Sequence, residues 1–160
     1  MKMLTWLGVA ILTCACGNAL AQKGSHADSA IGRQLDSLDY TYEVDEDGDY
    51  QMVFDMEDGR SQLVYVRSAI ENYGSLSVRE IWSPGFRIKG GDFPAVIANR
   101  LLSDSNSAKI GSWVRQDEVA MYVVKIDANA SADQLSDAID AAIKTADKLE
   151  QELTLGADEF

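Results

Sequence analysis

Beyond its sixteenth residue the chain has no cysteine: Cys14 and Cys16 are the only two. A domain that begins after them has no disulfide, no thiolate and no cysteine-ligated zinc to draw on. Histidine is as scarce. His26 is the only one, lies in a polar stretch and has no second imidazole with which to share a metal, so it reads as a solvated linker residue. Basic residues number 14 against 26 acidic ones, a formal net charge of −12. Such a surface repels phosphate backbones and anionic headgroups, which argues against nucleic-acid or membrane-surface binding and leaves solubility or attraction to a basic partner. No apolar run reaches the roughly 20 residues needed to cross a bilayer. Repeats of about 20–50 residues and low-complexity tracts are missing as well. One core is expected for 160 residues.

What the N-terminus does have is a pattern. Lys2 precedes an uncharged run from Met3 to Cys16, and small residues lead to Ala19-Leu20-Ala21. A cation, a short apolar stretch and small side chains at −3 and −1 are the layout of a cleavable export signal over residues 1–21, with Gln22 as the first mature residue. Cleavage there removes both cysteines and, of the charged residues, Lys2 alone, taking the net charge from −12 to −13. The alternative is a lipoprotein signal that anchors the chain at Cys16, although Thr13 stands where such signals carry an aliphatic residue. The protein is thus expected in the periplasm or secreted, with no transmembrane anchor in its mature form.

Residues 22–28 are small and polar and read as a flexible leader, with order beginning near Asp28 or Ser29. Ile31, Leu35 and Leu38 then recur at helical spacing. The period drops to two at Tyr40, Tyr42 and Val44, and again at Tyr50, Met52, Phe54 and Met56, predicting two strands joined by a turn at Asp47-Gly48. Asp58-Gly59 turns into a denser strand, Leu63 to Val66. A fourth strand, Leu76 to Trp82, falls between turn signals at Asn72-Tyr73-Gly74 and Ser83-Pro84-Gly85. Asp92 as cap and Pro94 in the first turn open a helix that should end near Ser103. Strands Ile110–Arg115 and Val119–Ile126 meet at Gln116-Asp117. A long final helix starts at the capping box Ser131/Gln134 and carries an apolar stripe from Leu135 to Leu153. The fold class that results is α+β: an antiparallel sheet of five to six strands with helices, in the order α-β-β-β-(β)-α-β-β-α, as one domain over residues 29–155 with a tail at 156–160.

No cluster of reactive side chains emerges from this pattern. Asp45, Asp47 and Asp49 with Gly48 imitate part of a calcium loop counted from Glu43, but position 12 is Phe54 instead of a bidentate Glu and the flanks alternate as strands, so the segment reads as a hairpin turn. Gly85–Gly91 offers Arg87 and Lys89 ahead of a helix but neither phosphate-binding glycine pattern, and Asp92 would repel an anion. No serine sits in a nucleophile elbow, and Asn129-Ala130-Ser131 reads as a loop and helix cap. Large aromatics at strand ends either complete a core or centre a partner site. Trp82, Phe86 and Trp113 are the candidate partner-binding residues on that ground; no residue is assigned a catalytic or metal-binding role, and no cofactor is expected.

Five segments together resemble the bacterial YbjN family: Tyr42-Glu43-Val44-Asp45-Glu46-Asp47-Gly48-Asp49-Tyr50, Trp82-Ser83-Pro84, Leu101-Leu102 with Asn106, Ile110-Gly111-Ser112-Trp113, and Ala146-Asp147-Lys148-Leu149-Glu150. The resemblance spans about residues 29–153 and rests on the order of the segments. It implies the α-β-β-β-α-β-β-α sandwich of type III secretion chaperones, grooves that bind partner polypeptides and a second helix that makes a homodimer interface. YbjN proteins are described as regulators or stress-related proteins with no established reaction. The export signal sets this chain apart from cytoplasmic members. The expectation is a non-enzymatic protein- or peptide-binding module, chaperone-like or regulatory. The alternatives are a self-associating structural or envelope-stress protein, dimeric through the helix at residues 93–103, and a carboxylate-based hydrolase with two buried acids facing each other.

Overall fold

The computed structural model describes residues 26–160. The export signal, Cys16 and the leader up to residue 25 lie outside the described residues. Three helices and six strands follow one another as α1 (Ser29–Ser37), β1 (Glu43–Val44), β2 (Tyr50–Asp55), β3 (Ser61–Tyr73), β4 (Leu76–Arg87), α2 (Ala95–Ser107), β5 (Ser112–Gln116), β6 (Val119–Asp127) and α3 (Ala132–Leu153). The strands form one antiparallel sheet in the order β1-β2-β3-β4-β6-β5. The α+β class and the element order are those predicted. Only the last two strands depart from a meander: the chain leaves β4, passes through α2, lands at the edge as β5 and turns back so that β6 fills the interior.

The final helix makes most of the core. Ser131 accepts the Gln134 N–H while the Gln134 side chain accepts the Ser131 N–H, so two orphan donors are satisfied where the helix begins. Its stripe, Leu135, Ala138, Ile139, Ala142, Ile143, Ala146 and Leu149, is buried against Val64, Val66, Ile81, Tyr122 and Val124 of the sheet. Each large side chain removed from water there contributes roughly 1.5–3 kcal/mol. The shorter α1 adds Ile31 and Leu35, both fully buried. The Asp28 carboxylate accepts the Ala30 N–H and pairs with the buried Arg79 guanidinium on β4 at 2.6 Å.

Several boundaries differ from the sequence reading, among them β3, which runs from Ser61 to Tyr73 and not only over Leu63 to Val66. Ser83-Pro84-Gly85 does not end β4; the strand runs on to Arg87, and its register against β6 shifts between Pro84 and Phe86. Gly85 is the extra residue of a bulge, where Pro84 can sit without donating to the ladder. Helix α2 starts at Ala95 with Pro94 at its cap and no side-chain cap bond, and it continues to Ser107. Asp92 is instead drawn to Arg115 at 2.8 Å. The first strand shrinks to Glu43–Val44, because Tyr40 and Tyr42 turn edge-on to Phe54 and Tyr50 instead of extending the ladder.

Candidate functional site: the open face of the sheet

Alternation along the strands sends Val64, Val66, Ile81, Tyr122 and Val124 toward the helices and leaves Leu63, Tyr65, Trp82, Met121 and Val123 on the opposite face. There Leu63, Tyr65, Trp82 and Met121 line, with Pro84 and Val119, a groove of about 750 Å³ to which no helix contributes a residue. Aromatic and aliphatic side chains form its floor. Its rims are acidic: Asp45 and Asp47 stand on the β1–β2 turn, and Asp117 and Glu118 on the β5–β6 turn.

A chain of polar contacts holds the Trp82 indole. Its Nε1 donates to Glu80 at 2.8 Å, and Lys125 pairs with the same carboxylate at 2.7 Å. Arg67 lies over the ring, its guanidinium carbon 4.9 Å from the centroid, a cation–π contact. Asp49 fixes Arg67 by an ion pair and also accepts the Ser68 N–H at 2.7 Å, while the Ser68 hydroxyl donates to the Gly48 carbonyl at 2.6 Å. The acidic hairpin is thereby tied to the strand that carries Arg67. Within the hairpin one Asp45 oxygen accepts the N–H groups of Asp47 and Asp49, both at 2.9 Å, and Gly48 adopts a φ of 81°. The three aspartates therefore do the work of a turn. Burial, with the Asp45 carboxylate adding to it, pushes the Tyr65 phenol above its ordinary value.

The far end of the groove is closed by the segment after α3. Arg60, 6% exposed, donates to Asp147 at 2.7 Å, to the fully buried Glu150 at 2.6 Å, and to the carbonyls of Gly156 and Ala157. Glu150 in turn accepts the Glu159 N–H at 2.6 Å. Burial raises the Glu150 carboxyl above the usual range even against these partners. Residues 156–160 are so carried past the start of β3, where Asp158 meets Ser61, to the end of β4, where Arg87 pairs with Glu159 and covers the Phe160 ring at 5.3 Å. Phe160 forms one wall of the groove.

The three aromatics singled out from the sequence are not brought together. Trp82 lines the groove. Trp113 is buried on the helix side, its Nε1 donating to Asp104 at 2.7 Å and its ring edge-on to Tyr122. Phe86 also faces the helix layer, half-buried and tilted against Phe93. Sequence reasoning missed Tyr65, Met121, Phe160 and the Asp117-Glu118 rim. The one available signal was that the β5–β6 turn carries two adjacent acids, Asp117 and Glu118. Among the described residues no group of three or more histidine or acidic side chains is arranged to hold a metal ion, and no helix is long and apolar enough to cross a membrane. A scan of protein-family models and a search of curated proteins gave no match to this chain.

Proposed function

We propose that this chain is an exported, non-enzymatic module of YbjN type that binds a protein or peptide through the open face of its sheet. One observation carries the reading: a six-stranded sheet covered by helices on one side leaves Trp82, Tyr65, Leu63 and Met121 clustered on the other, around a groove. A tryptophan held by an arginine on its face and a carboxylate on its N–H is already ordered before a partner arrives, so little entropy is lost on binding. The order α-β-β-β-β-α-β-β-α supports the resemblance to the secretion-chaperone sandwich. Export is supported by the Lys2 to Ala21 pattern. Panning the immobilised full-length chain against a random peptide library tests the binding reading: peptides retained by the wild type should be lost by Trp82→Ala, and equal retention by both would refute it. Intact mass of the cell-derived protein tests export, with an N-terminus at Gln22 expected, a diacylated Cys16 marking the lipoprotein form, and Met1 refuting both.

A second reading, self-association, is favoured by α2. Val96 and Leu102 are 73% and 67% exposed, and Phe93, Leu101, Trp113 and Val114 line an apolar groove of about 320 Å³ beside them. Sedimentation of a strict monomer at high concentration would end it. A carboxylate hydrolase ranks last, because the buried acids Asp49 and Glu150 are each engaged by an arginine.

A further inference from the structure

Resting on the reading of the open face as a docking surface, we propose that its occupant is a cationic polypeptide segment in which lysine or arginine flanks an aromatic or long aliphatic side chain. Charge complementarity argues for the cations. Both guanidiniums of the groove are neutralised within the chain, Arg67 by Asp49 and Arg87 by Glu159, whereas among the described residues Asp45, Asp47, Asp117 and Glu118 have no cationic partner. The rims therefore present uncompensated negative charge on both sides of an apolar floor, on a chain whose net charge of −12 draws cations from a distance. Phosphate-bearing ligands and anionic lipid carry the same sign of charge as the rims and are repelled. A small polyamine would satisfy the rims but leave the floor of Leu63, Tyr65, Trp82 and Met121 without a partner.

The chain itself shows how a polypeptide fits. Glu159 and Phe160 lie at the end of the groove, the carboxylate on Arg87 and the ring beneath the same guanidinium. An aromatic side chain entering from a neighbouring backbone is thus compatible with the groove's shape. The partner meets the mirror charge pattern, because the rim it faces is acidic and the arginines are already taken. A segment alternating cationic and apolar residues puts both sets where they are needed, since side chains of an extended strand point alternately to opposite sides and the apolar ones can fill the floor while long lysines reach the rims.

Fluorescence anisotropy of three labelled peptides of equal length on the full-length chain tests this. One alternates lysine with phenylalanine and leucine, a second has serine for every lysine, and the third has glutamate for every lysine. The lysine peptide should bind about tenfold or more tighter than the serine peptide, and the triple variant Asp47→Asn, Asp117→Asn, Glu118→Gln should erase that advantage, in line with several screened rim pairs acting together. All three substituted residues are exposed, and asparagine tolerates the positive φ of 51° at position 117, so the variant keeps its fold. Equal binding of the lysine and serine peptides, or an advantage unchanged in the triple variant, overturns the cationic partner; if Trp82→Ala still abolishes that binding, the docking face itself stands. No binding by any peptide, or binding indifferent to Trp82→Ala, overturns both.

Discussion

Gly85→Ala probes whether the β4 bulge is seated as closely on Trp113 as the structure requires. A Cβ at position 85 would lie 2.5 Å from Cη2 and 2.9 Å from Cζ3 of Trp113, and 3.2 Å from the Ala146 carbonyl oxygen. Neither neighbour gives way easily. The indole is pinned by its bond to Asp104 and by the Tyr122 ring 5.2 Å away, and the carbonyl belongs to the middle of α3. Overpacking of this kind costs about 1–3 kcal/mol, and the contact distances place the expected loss near 3. With a urea m-value of about 1–3 kcal/mol per molar for a domain of this size, the unfolding midpoint should fall by about 1–3 M. The cause is isolated by repeating the substitution in a Trp113→Phe background. Phenylalanine lacks the outer ring atoms that the new Cβ would strike, so Gly85→Ala should cost at least about 1 kcal/mol less there, a coupling of the size seen between residues in contact. The assay is equilibrium urea unfolding of all four proteins by circular dichroism. Equal losses in both backgrounds would show that the clash with Trp113 does not set the cost and would refute the reasoning.

Arg60→Met leaves Glu150 buried without its cation and should destabilise the fold by about 3–5 kcal/mol; hydrogen exchange should show the Glu159 amide, which donates to Glu150, losing protection with it, and a loss below about 1 kcal/mol would contradict the clamp. Asp28 is partly buried, and burial opposes its ionisation, but the Ala30 N–H and the Arg79 guanidinium outweigh that and hold its carboxyl below the usual range. A depressed carboxylate contributes stability above its unfolded value of 3.8 that disappears as pH falls through the folded value. Asp28→Asn, with the carboxylate about a quarter exposed, should therefore cost on the order of 1–2 kcal/mol at neutral pH and progressively less below about pH 4, as followed by urea midpoints across pH. Trp82→Ala should change stability by no more than about 1–2 kcal/mol, because the ring lies on the face away from the main core, and thermal melts alongside the binding assay would separate lost affinity from lost fold.

Helices and hairpins were legible in the sequence where local signals agreed with packing. The stripe from Leu135 to Leu149 has one face and a capping box, and Asp47-Gly48 can do little but turn. Where one residue type serves two purposes, sequence reading failed. Ser83-Pro84-Gly85 has the composition of a turn, yet the same missing N–H and missing Cβ suit a bulge inside a strand, and only the pairing with β6 distinguishes the two. That ambiguity propagated to the candidate site. Trp82 and Phe86 are four residues apart and would share a face in an unbroken strand; the extra residue at Gly85 inverts the alternation, so Trp82 faces the groove and Phe86 the helices. Asp92 was misread because its pull toward Arg115 depends on a strand 23 residues away. The groove's closure by Phe160 depends on Arg60, which is 96 residues from the Gly156 carbonyl it holds. No local pattern encodes either contact.

Backbone and side-chain NMR shifts of the isotope-labelled full-length chain, recorded while the lysine-bearing peptide is added, test most directly whether the uncovered face is where partners dock. Shifts confined to Leu63, Tyr65, the Trp82 indole and Met121, with the Trp113 indole unmoved, are the expected result. Changes centred on α2 and Trp113, with Trp82 silent, would place recognition on the helical side and contradict the account.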